Sequence, residues 1–171
     1  MDNLIQAINS FWGDSLKTIS PEQIEEFTLS PLNKSILIEI GLPSEDDIIS
    51  FYFDSRIQEC VLDNNRVLII GDDYGTQIGV SLNVDAKDAI YSIDISNESP
   101  IRFINSDILK LLQFLLLYKK LKSSMIESTD EEAITLISKT RDEFAKIDRK
   151  ALADENNWWS VILEQHEDGI M

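Results

Sequence analysis

The hydrophobic pattern of this chain changes its period twice, and the order of the three patterns constrains the fold more than any other feature. Residues 21–40 carry helix start and stop signals, residues 48–103 contain short β-branched and aromatic runs, and residues after 105 return to helical spacing. Short apolar runs between turn residues indicate strands, whereas apolar residues three or four positions apart indicate helices. Helices, then strands, then helices predict an α+β fold.

Two short helices are predicted between residues 21 and 40. Ser20-Pro21 and Ser30-Pro31 each offer a serine N-cap followed by a proline at the first helical position. Gln23 is placed to close a capping box with Ser20. Gly41, with a proline two residues later, is expected to end the second helix.

The middle of the chain predicts an antiparallel sheet. Two segments of turn composition, Asp63-Asn64-Asn65 and Asp72-Asp73-Tyr74-Gly75, separate apolar runs, which is typical of hairpins between neighbouring strands. Pro100 is expected to interrupt the ladder before the last strand. The predicted strands are Phe51–Phe53, Val67–Ile70, Ile78–Leu82, Ala89–Ile95 and Ile101–Ile104.

Three helices are predicted after residue 105. Ser106 is the expected N-cap of the first, and Thr129 forms a capping box with Glu132 in the second. The third is expected near Asp154–Glu167, with its tryptophan pair in the core. Since the chain has no internal repeat and no low-complexity linker, residues 1–171 are expected to form a single domain. The helical stripes are Ile108, Leu111, Leu112 and Leu115, then Ala133, Ile137, Thr140, Phe144 and Ile147.

The charge of the chain is strongly negative and unevenly distributed. Acidic residues number 31 against 15 basic ones, which gives a net charge of −16. Residues 1–60 carry 11 acidic and 3 basic residues, and residues 151–171 carry 5 acidic and no basic ones. Such a field repels phosphate backbones and anionic lipid and attracts a cationic protein, so neither nucleic acid nor a membrane is an expected partner. The simpler alternative is that the charge only keeps the protein soluble.

The residues that most often carry catalysis are scarce. His166 is the only histidine, and it lies among carboxylates near the end of the chain. We interpret it as a solvated residue rather than half of a metal site. Cys60 is the only cysteine, and we interpret it as a buried small hydrophobe in a reducing compartment rather than a nucleophile.

No motif predicts a metal, a cofactor or a catalytic residue. The acidic turns at 72–75 and 85–88 lack the ligand spacing of a calcium loop, and the glycines at 71, 75 and 79 form no dinucleotide fingerprint. Carboxylates are plentiful, so a hydrolase or small-molecule site with two carboxylates in a cleft between sheet and helix stays an open alternative.

A cytoplasmic location is expected. The first residues lack the basic start and the unbroken apolar core of a secretion signal. Ile108–Tyr118 is the most apolar stretch, but it is well short of the ~20 residues that span a bilayer.

Four segments, in their order along the chain, resemble the SUKH superfamily and specifically its fourth branch of bacterial immunity proteins. Ile38–Pro43 closes a helix before the sheet, Ile69–Gly75 forms a central hairpin, and Phe103–Ser106 leads into an apolar helix that ends near Lys120. Ile147-Asp148, followed by Trp158-Trp159, Ile162-Leu163 and Gly169, is similar to the closing helices of that branch. The resemblance covers about residues 30–169.

The resemblance implies an SMI/KNR-like α+β fold, with a curved, mostly antiparallel sheet packed against N- and C-terminal helices. It also implies the immunity partner of a polymorphic toxin, which is often a nuclease or a deaminase. Related eukaryotic members suggest an alternative role as an intracellular regulatory scaffold that recruits other proteins. The resemblance carries no catalytic motif, so we do not expect an enzyme.

Charge and resemblance together lead to one hypothesis, in which the chain inhibits a basic toxin domain by stoichiometric binding without turnover. A nucleic-acid-degrading toxin needs a basic cleft for phosphate, and an acidic protein can occupy such a cleft. At each candidate cluster, the alternative is a solvated acidic turn without a partner. The oligomeric state is not predicted. The candidate toxin-binding residues are Glu45, Asp46, Asp47, Asp72, Asp73, Tyr74, Glu164, Glu167 and Asp168.

Overall fold

The fold is described from a computed structural model, which covers residues 2–62, 64–94, 96 and 101–169. It begins with helix α1 (Asp2–Trp12), which the sequence reasoning did not predict. Ile8 and Trp12, one turn apart, are buried in the core. Strand β1 (Leu16–Lys17) then pairs antiparallel with β2 (Leu42–Pro43).

The two predicted N-terminal helices are confirmed as α2 (Pro21–Ile24) and α3 (Pro31–Ser35). Ser20 and Gln23 form the expected capping box, and Ser30 accepts a hydrogen bond from the backbone N–H of Asn33 at 3.2 Å. A π-helical turn, Ile36–Ile40, continues α3 and ends at Gly41, where φ is +92°. The capping residues in the sequence therefore predicted both helices of this region correctly.

The main sheet consists of six strands, β3 (Ser50–Phe51), β4 (Gln58–Leu62), β5 (Asn65–Asp73), β6 (Thr76–Ser81), β7 (Ile90–Ile93) and β8 (Ile101–Asn105). Its strands are antiparallel, with the order β3-β5-β6-β7-β8 and with β4 paired to β5. Both predicted hairpins are present, as β4–β5 and β5–β6. Strand β4 was not among the predicted strands, and the first predicted strand ends at Phe51 rather than Phe53. The predictions at Asp63, Ile95 and Pro100 lie outside the described residues.

Three helices follow the sheet, as predicted: α4 (Ile108–Met125), α5 (Asp130–Ile147) and α6 (Trp158–Glu167). The capping box of Thr129 is confirmed, but the expected cap of α4 was wrong by one residue. Asp107 caps α4 by accepting from the N–H of Lys110 at 2.8 Å. Helix α6 begins at Trp158, whereas its start was predicted near Asp154.

The main core lies between one face of the sheet and the helices. Leu68, Ile70, Ile78, Val80 and Ile90 supply its sheet side, and all are almost fully buried. On the helix side, an aromatic cluster joins α4, α5 and α6, with a centroid distance of 3.9 Å in its most closely stacked ring pair. Aromatic pairs at such distances add stabilisation beyond their buried area. The members of this cluster are Phe114, Tyr118, Phe144, Trp158 and Trp159.

Two predictions about single residues were wrong. His166 is only 8% exposed, and its Nε2 lies 2.8 Å from the hydroxyl oxygen of Tyr118, so it is a core residue and not a solvated one. Cys60 is half-buried rather than buried, because it lies on the edge strand β4. The prediction that both tryptophans belong to the core is confirmed.

Candidate protein-binding surface

The second predicted cluster, Asp72–Tyr74, lies at the tip of the β5–β6 hairpin. Tyr74 and Gly75 form its two-residue turn with φ values of +43° and +124°, and positive φ at both positions is typical of a type I′ turn. Tyrosine rarely adopts a positive φ. The turn directs the ring of Tyr74 outward, where the residue is 88% exposed.

The first predicted cluster, Glu45–Asp47, lies in the loop between β2 and β3. The carboxylate of Asp46 accepts hydrogen bonds from the N–H groups of Ile48 and Ile49, at 3.0 and 3.3 Å. This capped turn helps to anchor the loop, because both isoleucines are buried in the core.

The fold brings these two clusters together. β3 follows the loop directly and pairs with β5, so that Ser50 lies opposite Asp72. The hydroxyl of Tyr74 donates to the backbone carbonyl of Asp47 at 3.2 Å. We call residues 45–47 and 72–74 together the hairpin surface. Its two halves are more than twenty residues apart in sequence and form one continuous region.

Two lysines of α4 neutralise part of the hairpin surface. Lys119 Nζ lies 3.0 Å from Asp47 and 3.4 Å from Asp46, and Lys122 also pairs with Asp47. Partial burial alone would raise the pKa of Asp47, but the hydrogen bonds from Lys122 and Lys119 outweigh it and lower the pKa to about 2. The side chain of Asp46 is 0% exposed. Glu45 and Asp47 are therefore the carboxylates of this loop that a partner can reach.

The hairpin carboxylates are held in place by aromatic donors. The hydroxyl of Tyr52 donates to Asp72 at 2.6 Å, and desolvation together with this hydrogen bond raises the pKa of Tyr52 to about 12. The indole N–H of Trp158 donates to Asp73 at 2.8 Å. Burial raises the pKa of Asp73, although the hydrogen bond from Trp158 acts in the opposite direction. Side chains fixed in this way lose little freedom on binding, which favours affinity.

The third predicted cluster is separate from the other two. Glu164, Glu167 and Asp168 lie at the C-terminal end of α6, whereas the N-terminal end of that helix contacts Asp73. Ten helical residues span about 15 Å. Glu167 is paired with Arg141 of α5 at 2.9 Å. These three residues form a second acidic patch.

A buried polar network joins several of the segments on which the family resemblance rests. The carboxylate of Asp148 accepts from the N–H of Ser106 at 2.7 Å, from its hydroxyl at 2.8 Å and from the amide of Asn105 at 3.4 Å. Asn105 in turn accepts from the indole N–H of Trp159 at 3.0 Å. The network ties the end of β8 to the starts of α4 and α6 and to the end of α5. Sequence reasoning noted these residues but not their contact.

The part of the chain that the structure describes contains no helix long and apolar enough to cross a membrane. Within the same residues, no group of three or more His, Cys, Asp or Glu side chains is arranged to hold a metal ion.

Compared with known protein families, residues 5–165 match the family described as SUKH-4 immunity protein. No match was found among curated proteins or among solved structures. The family match covers nearly the whole chain and extends further towards the N-terminus than the segments of the resemblance. The α+β architecture with its antiparallel sheet and flanking helices agrees with the fold expected for this superfamily. This chain belongs to the SUKH-4 immunity protein family.

Proposed function

We propose that this protein binds and neutralises a toxin with a basic surface, a nuclease or a nucleic-acid deaminase, by stoichiometric, non-catalytic binding in the cytoplasm. Membership of an immunity protein family supports a toxin as the partner. The net charge of −16 supports a partner of opposite charge, because complementary fields accelerate association. The toxin is bound as a whole domain, and no bond is made or broken.

The exposed ring of Tyr74 is the observation that best supports a contact at the hairpin surface. At 88% exposure it leaves a large aromatic side chain in solvent at the centre of an acidic region. Aromatic residues are enriched among the few side chains that dominate binding energy at interfaces. Glu45 provides charge beside it, whereas Asp47 is already paired with Lys119 and Lys122. The hydrogen bond from Tyr74 to the backbone carbonyl of Asp47 fixes the ring against this loop.

The second acidic patch, Glu164, Glu167 and Asp168, contributes less in this proposal. Glu167 already pairs with Arg141, so a basic toxin has to compete with an internal cation there. Exposed ion pairs are worth only about 0–1 kcal/mol, however, and can exchange for an intermolecular pair at small cost. The patch therefore adds to long-range attraction more than to contact energy.

The experiment is a binding titration with the toxin domain that this protein is proposed to neutralise. Glu45→Lys and Tyr74→Ala, combined in one variant, should weaken the complex by at least about 30-fold, equal to about 2 kcal/mol. Glu25→Lys is the charge-matched control, because it also reverses one exposed acid but lies at the end of α2. A hairpin variant whose affinity stays within about threefold of the wild type would reject this surface. The absence of any complex with the toxin would reject the function.

A further inference from the structure

Strand β4 forms an unprotected edge of the main sheet. It pairs with β5 along one side, and no other strand among the described residues pairs with it. Natural sheets usually protect such edges with lysine, proline or charged side chains. β4 contains no lysine or proline, and its single charged residue, Glu59, is neutralised by Arg66 at 2.6 Å. Val61, in the same strand, is 64% exposed although it is apolar.

The free hydrogen-bonding groups of this edge belong to Glu59 and Val61. Arg66 of β5 lies opposite Val61. The N–H of Arg66 donates to the side chain of Asn83 at 3.0 Å, and its carbonyl accepts from the N–H of Leu82 at 2.8 Å, so both groups point towards β6. Backbone groups alternate between the two sides of a strand, so the neighbours of Arg66 point towards β4. The hydrogen-bonded pairs of β4 and β5 are therefore Leu62–Asn65, Cys60–Val67 and Gln58–Ile69. The N–H and C=O groups of Glu59 and Val61 consequently point away from the sheet.

The edge is complementary to itself. β4 has five residues, with Cys60 at its centre. When a second copy pairs antiparallel about a two-fold axis at Cys60, Glu59 of each copy lies opposite Val61 of the other. Residues opposite each other in this way exchange both of their backbone hydrogen bonds, so the free groups of the two copies satisfy one another. A shift by one residue sets them against groups that the hairpin already uses.

Charge also favours this region as a contact between two copies. Chains with a net charge of −16 repel each other over most of their surface. Residues 56–66, which include β4, carry two acidic and two basic residues and so have no net charge. Two copies that meet at this edge therefore bring together the segment with the least repulsion.

We propose that β4 is the contact of a symmetric dimer, in which the sheets of two copies join in the register centred on Cys60. The inference goes beyond the proposed function and does not depend on it. β4 pairs with residues 65–69 of β5, whereas the hairpin surface lies at the other end of that strand. Each copy therefore keeps its hairpin surface free for a toxin.

Disulfide trapping at Cys60 tests the register. Residues on the two-fold axis form a pair without direct hydrogen bonds, whose Cα atoms lie about 4.5 Å apart, and a disulfide needs about 4.4–6.8 Å. The full chain is treated with diamide, which oxidises two thiols to a disulfide, and the crosslinked dimer is followed on a non-reducing gel. In the control, Cys60→Ser with Val84→Cys moves the single cysteine to a position that is 91% exposed, between β6 and β7. We expect Cys60 to crosslink at least about tenfold faster, although the control position is more exposed.

Sedimentation velocity measures the dimer without a covalent bond. Val61→Glu places like charges opposite each other twice across the axis, so it should weaken the dimer at least about fivefold. Val84→Glu makes the same change at another exposed valine and should not weaken it. Raising the salt concentration from about 0.05 M to about 0.5 M should strengthen the wild-type dimer, because salt screens the repulsion between the copies. A complex with a basic toxin should respond to salt in the opposite direction.

Two results would overturn the dimer: a wild type that stays monomeric up to about 500 µM, or equal crosslinking rates for Cys60 and the control. If the wild type stays monomeric and Val61→Glu weakens the toxin complex, the edge is a contact for the toxin and a second copy is the wrong occupant. A wild type that dimerises but binds no toxin would leave the dimer standing and reject the proposed function.

Discussion

Replacing Asp148 with alanine should destabilise the fold severely, although the residue lies far from the proposed interface in sequence. Asp148 is 5% exposed, and its carboxylate holds Ser106 through two short hydrogen bonds, at 2.7 and 2.8 Å. Alanine removes both acceptors and leaves the backbone N–H of Ser106 without this partner. The contact to Asn105 at 3.4 Å is long and adds little.

The magnitude follows from those two bonds. A hydrogen bond to a charged group contributes about 1.5–3 kcal/mol, so Asp148→Ala should lower the free energy of unfolding by about 3–5 kcal/mol. Asp148→Asn keeps the shape and both contacts, because the amide oxygen can accept from the N–H of Ser106 and the hydroxyl of Ser106 can rotate to accept from the amide. It loses the charge that strengthens these hydrogen bonds, so we expect about half of that loss. Since the total stability of a domain is about 5–15 kcal/mol, the alanine variant should be marginal.

Urea unfolding, followed by tryptophan fluorescence, measures the effect. With a slope of about 2 kcal/mol per molar urea, the midpoint of Asp148→Ala should fall by about 1.5–2.5 M. Asp142→Ala is the matched control, because Asp142 is an exposed acid on the same helix and should change stability by less than about 0.5 kcal/mol. A loss below about 1 kcal/mol for Asp148→Ala would refute the account of the network.

Two further changes test the packing and the charges around the hairpin surface. Gly41→Ala should cost at least about 2 kcal/mol in urea unfolding, because a Cβ there would lie 2.5 Å from the carbonyl oxygen of Lys17 at a φ of +92°. Gly13→Ala is the control, because Gly13 also has a positive φ but a Cβ there would meet no other atom. Equal losses of stability in the two variants would show that the clash with Lys17 contributes nothing. Asp47→Asn should lower stability at pH 7 by no more than about 1 kcal/mol, since the pairs with Lys119 and Lys122 are partly exposed. Ionised Asp47 stabilises the folded protein through these ion pairs, and this contribution is complete above its ordinary pKa of 3.8. As the pH falls to about 2, Asp47 becomes protonated, so the difference in stability between the wild type and Asp47→Asn should disappear. A difference that persists below pH 2 would show that it does not come from the ion pairs.

The elements that depend on local signals could be predicted from sequence. Ser20, Ser30 and Thr129 cap the helices that they were expected to cap, because a cap is decided by residues three positions away. The hairpin at Asp72–Gly75 was predicted for a similar reason, since a two-residue turn sets its own register.

Helix α1 was missed although a signal for it exists. Leu4, Ile8 and Trp12 recur at helical spacing, and all three contribute to the core. His166 carries a similar signal, because it lies three residues after Leu163 and seven after Trp159, both on the buried side of α6. Its acidic neighbours in sequence suggested a solvated residue, but the helix directs them away from the core.

The internal pairing of the candidate site could not be predicted from sequence. Asp46 and Asp47 meet Lys119 and Lys122, which lie more than seventy residues later, and no local pattern links them. Asp73 likewise meets Trp158 from the far end of the chain. Formal charge along a sequence therefore overstates the charge that a partner meets, and long-range contacts decide how much remains.

Inhibition of the cognate toxin domain as a function of molar ratio and salt tests the central claim most directly. If the protein acts by binding alone, toxin activity should fall linearly and reach its minimum at an equimolar ratio. The association rate should drop at least about tenfold between about 0.05 M and about 0.5 M salt, because screening shortens the reach of the charges. Complete inhibition at a small fraction of equimolar, or an association rate that does not change with salt, would contradict the account.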